Sequence, residues 1–144
     1  MNKNEITIED LQARVLSFVE KAKLATNNSI DFKFKSNVTN EAKLTSIVGM
    51  NLFRVIQEAL NNAIKYANTS KINISAIEKN NQVTITIKDN GDGFDINTIE
   101  LGNGLKNIEK RINDIKGKVF IDSKPEIGTI VKIQIPFKNT TNDV

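Results

Sequence analysis

Glu58, Asn61, Asn62 and Lys65 recur at helical spacing within LFRVIQEALNNAIKYA, residues 52–67. That spacing stacks a carboxylate, two amide oxygens and an ammonium along one helix face. Hard oxygens and an ammonium suit a metal-bound polyphosphate. The same pattern also describes a solvated face with one Glu-to-Lys pair, so the helix alone leaves both readings open. Asp89 offers a second chemistry. It ends an alternating run and precedes Asn90, Gly91, Asp92 and Gly93, a turn whose glycines let a ligand approach the backbone. A carboxylate held there accepts a hydrogen bond from an exocyclic amine such as that of adenine. An Asn-Gly hairpin would need a second strand straight after Phe94, and no alternation resumes there. A calcium loop beginning at Asp89 is excluded, because Phe94 stands where glycine is needed and Gly91 and Gly93 stand where oxygen ligands are needed. Gly102, Asn103 and Gly104 precede a helix that starts near Leu105, and unpaired N–H groups at a helix start bind phosphate oxygens. Gly128 and Thr129 open the final strand, with a hydroxyl in reach of a ligand.

The elements that must position these groups follow from periodicity. Leu52, Ile56, Ala59, Leu60, Ala63, Ile64 and Ala67 form an apolar stripe, which predicts a central helix over about 48–67. Thr7 and Asp10 approximate a capping box ahead of a first helix over 7–26, stopped by Asn27, Asn28 and Ser29. Alternation predicts strands at 30–35, 71–78, 82–89, 119–123 and 129–137, with a hairpin through Lys79, Asn80 and Asn81. Residues 36–46 read as a loop, the stretch after DNGDGFD up to Gly102 as a flexible segment and 105–116 as a helix. Gly117 stands where a left-handed cap is wanted. The expected fold is α/β, of the α+β kind: a two-layer sandwich with a mixed, mostly antiparallel sheet and helices on one face. Residues 1–144 read as a single domain, with its core over about 7–137 and a frayed tail at 138–144.

Composition narrows the classes. The chain has 39% hydrophobic and 26% charged residues and no long apolar run, as expected of a soluble domain with a real core. Neither a membrane span nor a signal peptide is expected. Without cysteine there is no disulfide or thiolate metal site, and a cytoplasmic location is compatible. A net charge of +3 from lysines interleaved with acids, lacking an arginine-rich or aromatic-basic cluster, argues against nucleic-acid binding. The absence of histidine removes the commonest general base, the commonest transition-metal ligand and any phosphohistidine on this chain.

Taken in order, the E-x-x-x-N helix, DNGDG, GNGL opening a helix and a GT-led strand resemble the Bergerat-type ATP-binding fold of the GHKL superfamily. The tail GLKNIEKRINDIKGKVFIDSKPEIGTIVKIQIPF is similar to the catalytic domain of sensor histidine kinases, and the helix resembles the subclass that pairs with LuxR-type response regulators. The likeness covers roughly residues 45–137. It implies ATP and Mg²⁺ as cofactors, with Asn62 as magnesium ligand, Glu58 as the acid near the metal and Lys65 as a phosphate contact. It makes Asp89 the adenine reader, with Gly91, Gly93 and Thr129 beside the nucleotide and Gly102, Gly104 and Leu105 at the phosphate lid. Tyr66 stands where many relatives have histidine. The resemblance also implies partners: a separate histidine-bearing dimerisation domain and, through it, a response regulator. The isolated domain is expected to be a monomer, and the resemblance is compatible with a full-length parent anchored in a membrane by sequence outside this stretch. A free-standing anti-sigma-factor serine kinase and an ATP-responsive binding module without transfer are the alternative readings.

Overall fold

The computed structural model describes residues 5–38, 42–66, 68–95, 103–136 and 138–139. Thr7 caps helix α1 (Ile8–Ala25), its Oγ1 accepting the Asp10 N–H at 3.0 Å as the capping pattern predicts. Leu11, Val15, Val19 and Ala22 form its buried face. A Schellman-type end follows, in which the Asn28 N–H reaches the Lys23 carbonyl while Asn27 takes φ 54. Strand β1 (Glu5–Thr7) precedes α1, and β2 (Asp31–Ser36) follows it.

The stretch expected to be a loop contains β3 (Ala42–Thr45), which pairs antiparallel with β1. Thr45 Oγ1 accepts the Val48 N–H at 3.2 Å, so helix α2 (Ser46–Tyr66) begins two residues before the expected start. Leu52, Ile56, Ala59, Leu60 and Ala63 of the apolar stripe are buried and Ile64 is half-buried. Val55, which lay outside that stripe, is fully buried too. Ala67 and the Tyr66 side chain lie outside the described residues.

Strands β4 (Lys71–Lys79) and β5 (Gln82–Asp89) form the expected hairpin, with Asn80 and Asn81 both at positive φ as a two-residue primed turn requires. Helix α3 spans Asn103–Asp114, and β6 (Lys118–Lys124) and β7 (Gly128–Pro136) complete a five-stranded sheet ordered β2-β4-β5-β7-β6. Only the β2–β4 pairing in it is parallel. Ile72, Ile74, Val83, Ile85, Ile87, Val131, Ile133 and Ile135 point from one face into the core that the helices cover. This is the mixed, mostly antiparallel α/β arrangement expected.

Two further expectations are corrected. Lys116, not Gly117, adopts the left-handed conformation after α3, at φ 62, and the Gly117 N–H bonds the Ile112 carbonyl at 2.9 Å. Gly117 is glycine for space, since a Cβ there would stand 2.5 Å from Ile135 Cδ1 and 2.8 Å from the Gln134 carbonyl oxygen. Within the tail expected to be frayed, β8 (Lys138–Asn139) pairs with β3 in a small sheet ordered β1-β3-β8, and 140–144 lie outside the described residues.

Candidate functional site

Asp89 lies at the last position of β5, on the core-facing side of the sheet, and is only 7% exposed. Its Oδ1 accepts the Gly91 N–H at 2.9 Å, an Asp side chain folding back on its own turn, and the Thr129 N–H at 3.3 Å from β7. Burial raises the Asp89 carboxyl above its ordinary pKa, and the two N–H donors pull it part of the way back.

The turn after Asp89 is clamped on both sides. Asn90 Oδ1 accepts the Ser70 and Lys71 N–H groups at 3.0 and 2.9 Å, tying the turn to the start of β4. On the other side the Ser123 hydroxyl accepts the Phe94 N–H at 2.9 Å and lies 2.8 Å from the Thr129 hydroxyl. Gly93, at φ 63, leaves no room for a Cβ against the Lys124 carbonyl oxygen, and Gly128, at φ 138, leaves none against the Asp89 carbonyl oxygen. These glycines therefore serve close backbone packing within the protein, beyond the ligand access anticipated for the DNGDG turn.

The second part of the site lies between two helices. Gly104, in the first turn of α3, packs on the polar face of α2, where a Cβ would collide with Glu58 Oε1 and stand 3.2 Å from Asn62 Nδ2. The structure thus gathers Glu58, Asn62 and Gly104. Asn61 is also half-buried. Arg111 Nη1 donates to Asn51 Oδ1 at 3.1 Å, a further tie between α3 and α2. Leu105 is half-buried against the core, and Lys65 is exposed in the last turn of α2. Gly102 and the segment between Asp95 and Asn103 lie outside the described residues.

Two contributors went unread in the sequence. Ser123 had one available signal: it continues the inward parity of Val119 and Ile121 on β6, where a polar residue needs a partner. Asn90 had none, because its partners belong to a strand far away in sequence.

Hydrophilic groups converge at the end of a core-facing strand and at a helix start, which fits a nucleotide laid across α2 and the β5–β7 ends. Comparison with known proteins agrees. Residues 48–139 match the family model described as "Histidine kinase-, DNA gyrase B-, and HSP90-like ATPase". The signal transduction histidine-protein kinase/phosphatase DegS of Brevibacillus brevis is 37% identical over 108 residues, covering 74% of this chain and 27% of that protein. Sensor protein VraS of Staphylococcus aureus (strain COL) is 34% identical over 86 residues, 59% of this chain and 25% of that protein. The chain thus spans about a quarter of the length of these relatives. In fold it is similar to the catalytic domain of histidine kinase ThkA, with a TM-score of 0.76 at 20% identity over 96% of this chain and 99% of that one. The mycobacterial sensor histidine kinase MprB gives 0.73 at 16% identity over 94% and 98%. With the family model spanning the helix of Glu58 and Asn62, the Asp89 turn, Gly104 and Thr129 alike, the chain belongs to the histidine kinase-, DNA gyrase B- and HSP90-like ATPase family.

Proposed function

We propose that this chain is the ATP-binding catalytic domain of a two-component sensor histidine kinase, donating the γ-phosphoryl group of Mg-ATP to a histidine on a separate dimerisation domain. The observation that carries the reading is Asp89, a buried carboxylate whose Oδ1 is held by two backbone N–H groups at a strand end. Oδ2 is then the acceptor for the adenine amine, with Gly91, Gly93 and Thr129 around the base and Gly102, Gly104 and Leu105 at the phosphates. The kinase names of DegS and VraS support the transfer half of the reading.

Asn62 fits a magnesium ligand and Glu58 the acid near the metal and its waters, because Asn62 offers a hard oxygen and glycine at position 104 keeps side-chain atoms out of the space beside both. When bound, the ion neutralises phosphate charge and polarises the transferring group. Lys65 extends from the same helix to the phosphate oxygens. In the transfer an imidazole nitrogen forms a bond to the γ-phosphorus while the bond to the β,γ-bridging oxygen breaks and ADP leaves. The imidazole proton departs, and Glu58 is the carboxylate we assign to accept it.

The acceptor histidine must come from outside, since this chain has none. Catalysis here is therefore largely positioning, which holds the reacting atoms about 3–3.5 Å apart in line. Among the described residues no helix is long and apolar enough to cross a membrane. We place the domain, a monomer when isolated, on the cytoplasmic side, where a LuxR-type regulator receives the phosphoryl group from the histidine domain. Mixing the chain with a two-helix histidine domain and labelled ATP tests this. Acid-labile, base-stable label on that domain is the expected result. Acid-stable label on a serine of an anti-sigma antagonist, or ATP-dependent binding with no transfer, would replace the histidine-kinase reading.

A further inference from the structure

The five-stranded sheet has a second face, turned away from the helices, and the structure concentrates positive charge there. Strand alternation places Lys33 and Lys35 of β2, Lys88 of β5, Lys132 of β7, Lys118 and Lys124 of β6 and the two terminal lysines of β4 on this face, all exposed. Its only acidic strand residues are Asp31 and Asp122, one on each edge strand. Eight lysines against two carboxylates exceed the +3 of the whole chain, so the remainder of the molecule is net negative. In sequence these lysines are scattered among acids, and only the sheet brings them together.

Protection of open strand edges accounts for lysines on β2 and β6. It does not account for Lys88 and Lys132, because β5 and β7 are interior strands. Among the described residues none of these lysines is in an ion pair, the Lys23–Glu20 pair of α1 being elsewhere. Between them lie short hydroxyl side chains, Ser75, Thr84 and Thr86, all half-buried, and two exposed apolar ones, Ile77 and Phe120, 50% and 53% exposed. The surface is broad, roughly 20 Å across five strands, and carries mobile ammonium groups rather than a shaped pocket.

We propose that this outer sheet face docks on an anionic phospholipid surface. Flexible point charges over a broad face match a plane of mobile headgroups, and Phe120 and Ile77 supply shallow apolar contacts. Duplex nucleic acid is a poorer match, because the face presents no helix to a groove and no arginine for bidentate contacts. A single strand would need stacking aromatics, and Phe120 stands alone. An acidic protein partner would need a desolvated aromatic or arginine anchor at the centre, where Lys88 and Lys132 stand instead. Docking by this face leaves the nucleotide site on the opposite side open to a histidine-bearing partner.

The test is co-sedimentation of the 144-residue chain with vesicles of phosphatidylcholine alone or with about one third phosphatidylglycerol. Binding to the anionic vesicles only is expected, and it should fall steeply between about 0.05 and 0.5 M salt. Each lysine at such a surface contributes about fivefold, so the triple variant Lys35→Glu, Lys88→Glu, Lys132→Glu should bind at least about a hundredfold more weakly. Reversing Lys21, Lys106 and Lys110 on the helical side should leave most of the binding. Melting curves confirm folding, and the same three sites changed to Gln serve if the Glu variant is unfolded, again with a loss of about a hundredfold. Equal binding to both vesicle types, equal loss in the helical-side control, or tighter binding to duplex DNA or free polyphosphate at matched charge would overturn the proposal.

Discussion

The two ends of the candidate site are built differently. Around Asp89, hydrogen bonds from Gly91 and Thr129 meet, Ser123 ties Phe94 to Thr129, and Gly93 and Gly128 press backbone against backbone. Around Glu58 and Asn62, both half-buried, neither side chain makes a hydrogen bond among the described residues. Under the proposed function the Asp89 end, taken as the base end, is finished before a ligand arrives, while the Glu58–Asn62 end, taken as the phosphate end, presents oxygens whose partners a ligand would bring. A planar base gains from a fixed acceptor, because preorganisation removes an ordering cost from binding. A hydrated cation and a polyphosphate need ligands that can adjust.

The sharpest way to break this contrast is Gly128→Ala. At φ 138 with the Asp89 carbonyl oxygen in the way, the backbone itself must move. A loss of about 3 kcal/mol or more in unfolding free energy is expected by denaturant titration, together with weaker nucleotide binding. Unchanged stability would mean the base end is softer than its contacts imply.

Asp89→Asn comes next. It keeps an oxygen for the Gly91 and Thr129 N–H groups but removes the charged acceptor, so calorimetry should show ATP and ADP binding weakened by about 1.5–3 kcal/mol. The ligand-free protein should respond oppositely. Burial raises the folded-state pKa of Asp89, so its stability contribution is full below the unfolded pKa and is lost as pH rises through the raised value. A neutral amide at this position escapes that loss. The variant should therefore melt higher than the parent at neutral pH, with the gap closing under acid conditions.

At the phosphate end, Asn62→Ala should cost on the order of 1.5 kcal/mol of magnesium-dependent nucleotide affinity, and Asn61→Ala far less. A larger loss at Asn61 would move the metal to the other side of the helix. Gly104→Ala should have the smallest effect on stability, about 1 kcal/mol or less, since the obstacle is the far end of the Glu58 side chain. Its effect should appear in magnesium-nucleotide binding, read in the same titration.

Long, strongly patterned elements were legible in the sequence because burial imposes period on them: the stripe of α2 and the alternations of β4, β5 and β7. Strands β1, β3 and β8, of three, four and two residues, are too short to show a period, and pairing between distant segments creates them. The same limit applied at the site. Asp89, Asn62 and Thr129 are proposed as site residues from motif order. Ser123 and Asn90 gain their roles from partners brought by the sheet, and the segregation of lysines onto one face exists only after folding.

The single parallel pairing has a consequence for how the protein is made. Because Asp31 pairs with Lys71, the chain between β2 and β4 must leave the sheet and return, and α2 is the main element of that excursion. Closing such a long loop is entropically uphill until the stripe of α2 has a sheet to cover. The hairpins β4–β5 and β6–β7 are local and can form first, whereas the β2–β4 pairing, with the helix carrying Glu58 and Asn62 between its strands, closes a longer loop. The parallel edge is then a late event of assembly: a nascent or partly folded chain can possess most of its sheet before the strand that begins the excursion is paired.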